Sequence, residues 1–94
     1  MEGKYTFKES EKGIAAFNED GQTAAEITWS LAGDTILIID HTEVKEGYNG
    51  QGLGQELVRQ AVDKARRENR KVMPLCPFAA HQFAKHEEYR EIQL

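Results

Sequence analysis

The chain has 94 residues, 39% of them hydrophobic and 30% charged, with a net charge of -4. That length predicts one domain, residues 1–94, built on a single core, and the composition is that of a globular protein rather than a disordered tail. The acidic balance argues against nucleic acid or an anionic membrane as main partner, no apolar run reaches membrane-spanning length, and one cysteine excludes an internal disulfide.

Met1-Glu2-Gly3-Lys4 leads straight into a strand pattern with no secretory signal, which with a lone thiol predicts a cytoplasmic protein. Tyr5-Thr6-Phe7 alternates as a half-buried strand, Glu11-Lys12-Gly13 turns the chain, and Ile14 to Phe17 reads as a second strand. Asp20-Gly21 between apolar runs is a hairpin signal, because both residues tolerate positive φ. Thr23 to Leu31 is the clearest alternating strand, with Ala25, Ile27, Trp29 and Leu31 on one face. After Gly33-Asp34, Ile36 to Ile39 is apolar at every position, which predicts a central strand covered on both faces and continuing to Val44. A helix from Gly52 to Glu68 follows. Leu53, Leu57, Val58, Ala61, Val62 and Ala65 form its apolar stripe, while Gln55, Glu56, Arg59, Gln60, Asp63, Lys64 and Arg67 face water. Lys71 to Leu75 is a short fifth strand, at an edge or bulged because Pro74 cannot donate to a ladder. Cys76-Pro77 opens a second helix, Phe78 to Glu88, with Pro at the first turn and Cys76 beside the N-cap. Strand, helix, strand implies a right-handed crossover and a parallel pair. The predicted fold class is α/β: a mixed, mostly antiparallel five-stranded sheet with a crossover helix and a short C-terminal helix. One sheet face is less completely covered, which leaves the Trp29 strand or the last helix available to a homodimer.

Gly50, Gln51, Gly52, Leu53 and Gly54 are the most informative stretch. Three glycines leave the backbone bare where a helix begins, and the first turn of a helix has orphan N–H donors at the positive end of the dipole. The expected ligand is a phosphate ester, in the first instance a pyrophosphate-bearing cofactor. A dinucleotide fingerprint is excluded, since Gln55 or Leu57 stands where a third glycine is needed. A P-loop is excluded because no Lys-Ser/Thr pair follows Gly52 or Gly54.

Asn49-Gly50-Gln51-Gly52-Leu53-Gly54, between a central strand and a long helix, resembles the Gln/Arg-x-x-Gly-x-Gly/Ala pyrophosphate turn of the GNAT superfamily of N-acetyltransferases, with Asn49 where Gln or Arg is usual. His41-Thr42-Glu43-Val44 and Cys76-Pro77-Phe78 are similar to stretches of the small, minimal GNAT-like subgroup. The resemblance implies a truncated GNAT fold, acetyl-CoA or coenzyme A as cofactor, and transfer of an acetyl group to an amine of unknown identity. It implies cofactor contacts at Val44, Asn49, Gly50, Gln51, Gly52, Leu53 and Gly54, with a Val44 amide on the splayed fourth strand stabilising the oxyanion.

The ends of the fourth and fifth strands lie on one side of the sheet, where ligands of such sheets bind. That brings Cys76 and His41 toward the cofactor, and Glu43 shares the His41 face. Two routes follow. Either His41 or Glu43 deprotonates an amine that attacks the thioester directly, or Cys76 takes the acetyl group first with His41 as its base. The bland readings are a buried structural cysteine and a surface histidine. His81 and His86 read as solvated, and no histidine pair has ligand spacing, so no metal site is expected. Lys64, Arg66, Arg67, Arg70 and Lys71 complement a helix C-terminus, with contact to the cofactor 3′-phosphate as the alternative. Phe78 and Phe83 are expected to pack the last helix on the sheet. The rival functions are a non-catalytic CoA or acyl-CoA binding module and an interaction domain that keeps only the fold.

Overall fold

The computed structural model describes residues 4–94, so the opening Met1-Glu2-Gly3 of the sequence lies outside the described residues. Five strands run β1 Thr6–Ser10, β2 Gly13–Phe17, β3 Thr23–Ala32, β4 Ile36–Val44 and β5 Lys71–Pro74, in sheet order 1-2-3-4-5. The first four pair antiparallel, and β5 is parallel to β4. The crossover helix is α1, Leu53–Arg67; α2, Pro77–Lys85, and α3, Glu87–Arg90, follow β5.

One face of the sheet carries the core. Ile14 and Ala16 of β2, Ile27 and Trp29 of β3, Leu37 and Ile39 of β4 and Val72 of β5 are buried on it. The predicted stripe of α1 lies against them: Leu53, Leu57, Val58, Ala61, Val62 and Ala65 are all at most 1% exposed. Helix α2 lies beside α1 on the same face. A Cβ built on Gly54 of α1 would stand 2.9 Å from Cζ of Phe78 and 3.5 Å from Cγ2 of Val44. The opposite face carries no helix among the described residues, and there Ile36, Ile38 and Met73 are only half-buried. The expectation that β4 is covered on both sides is corrected accordingly: its second apolar row belongs to an open face.

Three further readings change. Leu31 continues the Ile27–Trp29 row, as expected, but is 45% exposed in a hollow it shares with Trp29 and Lys64. The second helix stops at His86, whose extended backbone (φ -112°, ψ 103°) separates α2 from α3. That bend brings Tyr89 back over Phe83, with ring centroids 5.3 Å apart, and carries the tail to a parallel bridge between Gln93 and Val72. Half-buried His86 stacks on Tyr89 at 4.7 Å, whereas His81 is exposed as expected.

Lys64, expected in water, is 9% exposed. It sits at the margin of the α1 stripe, where its stem covers Trp29 and its Nζ is 5.4 Å from the ring centroid. Nζ donates to Glu68 Oε2 at 2.7 Å and to Glu9 Oε2 at 3.1 Å. The Glu68 bond, with Glu9 in support, holds the ammonium pKa above its usual value despite desolvation; Lys64 and then Arg70 hold the Glu68 carboxyl below its own.

Leu57→Ala is expected to lower unfolding free energy by about 3 kcal/mol, read as a lower urea midpoint at unchanged slope. A carboxylate with a depressed folded-state pKa stabilises the protein above its unfolded value of about 4.3 and loses that contribution as pH falls through the folded value. The stability gap between wild type and Glu68→Gln is therefore expected to narrow from pH 6 to pH 3, checked by urea titrations at both ends.

Candidate functional site

The site begins with a break in the parity of β4. Ala25 to Thr28 pair with Val44 to His41, but Trp29 pairs with Ile39, so Asp40 is an extra residue bulged out of β4. Its carboxylate accepts a 2.6 Å hydrogen bond from Ser30 Oγ. Before the bulge, Leu37 and Ile39 face the helices; after it, Thr42 and Val44 do, opposite core-facing Ile27 and Ala25. His41 and Glu43, opposite Thr28 and Glu26, point to the open face.

At the same point β4 loses its second neighbour. The last β4–β5 register pair is Ile39 with Pro74, and Ile39 O then accepts both Leu75 N (3.1 Å) and Cys76 N (3.3 Å) as the chain turns into α2. Lys45 N donates to Ala24 O, so by two-residue alternation Glu43 and His41 also bond toward β3. The N–H groups of Thr42 and Val44 therefore point into the gap that β5 has left.

The glycine turn lies at the end of that gap. Gly50 (φ 82°) and Gly52 (φ 79°) both need the left-handed conformation, and Gly52 is the N-cap of α1 with no side-chain cap. The first bond of the helix is Glu56 N to Gly52 O, which leaves the N–H groups of Leu53, Gly54 and Gln55 without acceptors among the described residues. They border a 320 Å³ cleft lined by Val44, Tyr48, Asn49, Gly50, Gly52, Leu53, Gly54, Gln55 and Phe78. Donors, dipole and space thus fit a diphosphate, with the gap beside β4 open to an extended chain leading from it. Gly54 has a different reason to be glycine, the close approach of Phe78. Phe78 itself is 37% exposed and walls the cleft, where it was expected only to pack.

Gln51 is tied away from the cleft, since Tyr5 Oη donates to its Oε1. Tyr5 meets Tyr48 edge to face at 6.2 Å, and Tyr48 Oη accepts from Asn18 Nδ2 at 2.6 Å. Two tyrosines therefore clamp the turn to β1 and to the β2–β3 hairpin. Sequence patterns did not single out Tyr48; its only signal was an aromatic residue two positions before Gly50.

Cys76 is 6% exposed and caps α2: its Sγ accepts from Ala79 N at 3.3 Å and lies 3.3 Å from Thr42 Oγ1. It thus belongs to the helix side of β4. His41 is exposed on the other side, and Glu43 bonds Lys45 Nζ at 3.3 Å. The strand ends gather all three residues, but the bulge divides them between two faces.

The basic cluster is occupied structurally. Lys64 holds Glu68 and Glu9, Arg66 donates to Glu88 O, Arg70 holds Glu68 and Gly33 O, and Lys71 donates to Glu91 O. It stands at the far end of α1, about 20 Å from the turn. A larger hollow of 830 Å³ beside Trp29 and Leu31 lies at that far end too, and its Lys64, Glu68 and Arg70 are already paired with one another. No group of metal-ligating side chains occurs among the described residues.

Bare amides at a helix start beside a parallel pair that parts at its ends make an α/β fold suited to a phosphate-bearing ligand. The chain belongs to the GCN5-related N-acetyltransferase family, whose model matches residues 10–92. It is an acetyl-CoA-dependent N-acetyltransferase. A Staphylococcus aureus protein solved by NMR and described as GCN5-like is 30% identical, with TM-score 0.79 over 98% of this chain and 90% of that one. Two Escherichia coli enzymes share the fold. One is a GNAT family N-acetyltransferase in complex with CoA (23% identity, TM-score 0.62, covering 82% of this chain and 43% of that one). The other is the ribosomal-protein-S18-alanine N-acetyltransferase (17% identity, TM-score 0.65, covering 82% and 53%). The chain spans about half the length of these two enzymes. No curated protein matches it.

Gly52→Asp is expected to weaken CoA binding about tenfold or more relative to Gly52→Asn, as measured by calorimetry. Both side chains face the same positive-φ strain, and only Asp sets a carboxylate against the diphosphate.

Proposed function

We propose that the acetyl group passes directly from acetyl-CoA to an amine that arrives at the open sheet face, with the two protons of the reaction handled on opposite sides of β4. The observation that carries this reading is the parity break at Asp40, after which His41 and Glu43 face one side and Thr42, with Cys76 against it, the other.

Acetyl-CoA supplies an acetyl thioester. The Leu53, Gly54 and Gln55 amides hold its diphosphate, with Asn49 and Gly50 beside them, and the gap at β4 receives the thioester. The Val44 N–H donates to the carbonyl oxygen as charge develops there. On the open face His41, with Glu43 two residues further on, takes the proton from the attacking amine. Glu26 opposite Glu43, together with Asp40, makes that approach negative and suits an amine that arrives as an ammonium. On the helix face the Cys76 thiol gives a proton to the departing CoA sulfur. A C–N bond forms and the C–S bond breaks; an ammonium gives one proton to solvent before it attacks and a second to His41 as the amide forms, while Cys76 gives its proton to the CoA sulfur and regains one from solvent.

A second reading rests on the two groups that converge on Sγ: Ala79 N–H and the Thr42 hydroxyl also suit a Cys76 that accepts the acetyl group itself. It lacks a base, because His41 is on the other face.

The two readings separate by intact mass. In the direct route, acetyl-CoA adds nothing to the protein, His41→Ala lowers kcat on an amine panel about 100-fold, and Cys76→Ala lowers it about tenfold with CoA affinity unchanged. A gain of one acetyl group that disappears in Cys76→Ala would replace the direct route with the covalent one. Full activity in both variants would remove both routes.

A further inference from the structure

We propose that Thr42 is the positioning residue for the Cys76 thiol: its hydroxyl fixes the direction of the Sγ proton and then steadies the sulfur once the proton has gone. The functional consequence rests on the acid role proposed for Cys76; the hydrogen bond itself does not.

The assignment follows from counting donors and acceptors around one buried atom. The Ala79 N–H can only donate, so it occupies a lone pair of Sγ. The Cys76 N–H is already given to Ile39 O. Among the described residues, the one acceptor within hydrogen-bond distance for the S–H proton is Thr42 Oγ1, at 3.3 Å. A hydroxyl is donor and acceptor at once. It accepts while the proton is on sulfur, and by rotating its own hydrogen it donates when sulfur carries charge. Threonine does this from a fixed point, because its β-branch restricts χ1 and it stands on β4 within the sheet.

Position 42 reaches the cysteine only because of the bulge. Had the alternation run unbroken through Asp40, Thr42 would point to the open face and His41 to the thiol. The same residue also turns its N–H into the gap beside β5. One position thus orients the acid through its side chain and borders the thioester's path through its backbone.

The chain has one cysteine, so its S–H stretching band in the infrared reports on one bond alone. Thr42→Val is expected to move that band to higher frequency, and Thr42→Ser to restore it. With acetyl-CoA and a responsive amine, Thr42→Val is expected to lower kcat about tenfold, as loss of one hydrogen bond does, with KM for acetyl-CoA within about twofold of wild type and Thr42→Ser recovering most of the rate. In the Cys76→Ala background, Thr42→Val is expected to add nothing. An unmoved S–H band in Thr42→Val overturns the assignment, as does an equal loss of kcat in both backgrounds. If Cys76→Ala is fully active while the band still moves, the acid role falls and the hydrogen bond stands. If Thr42→Val fails to fold, Thr42→Ala takes its place: the same band shift is expected, and an unmoved band again overturns the assignment.

Discussion

The extra residue at Asp40 is the constraint on which the rest of the site depends. A β-sheet satisfies its backbone groups by pairing, and a strand inside a sheet ordinarily has no free donors. β4 is such an interior strand up to Ile39, and past it only one edge is still paired. Three features meet at the same few residues: β5 turns off into α2, the β4 amides are left facing a gap, and the side-chain alternation of β4 reverses. The Ser30–Asp40 bond secures the bulge on the exposed side. Without the reversal, the apolar row Leu37, Ile39 would have continued into His41 and Glu43, burying two polar groups under α2 at considerable cost.

The glycine turn shows two different physical demands compressed into five residues. Gly50 and Gly52 are conformational, held at positive φ so that the chain can enter α1 without a capping side chain. Gly54 is steric, a gap in the surface of α1 into which the Phe78 ring fits. The first pair leaves amides bare, and the third draws α2 close enough for Phe78 to wall the cleft and for Cys76 to meet Thr42. Packing and ligand binding are therefore not rival explanations of this motif.

Most of the fold could be read in the sequence because its signals are local. The alternation of Thr23 to Leu31, the Asp20-Gly21 hairpin and the stripe from Leu53 to Ala65 each depend on neighbours a few residues away. The turn and its place before α1 were legible for the same reason. What escaped depends on distant neighbours. Whether Ile36 and Ile38 are covered is decided by where the helices lie, all of them on the other face among the described residues, and Lys64 is held by Glu9, 55 residues away. The bulge left a trace, since the core residues of β4 pass from odd positions 37 and 39 to even positions 42 and 44. Strict alternation, taken as unbroken, hides that trace and joins His41 to Cys76 when they belong to separate faces.

The tyrosine clamp has a consequence for the order of assembly. Tyr5 reaches Gln51 across 46 residues, and Asn18 reaches Tyr48 across 30. Helix α1 is closed by local bonds, whereas the loop before it is tied by contacts that close long loops at an entropic cost, the kind that form late. The shape of the turn is thus set in part by residues 30 and 46 positions away, outside the segment that carries the motif.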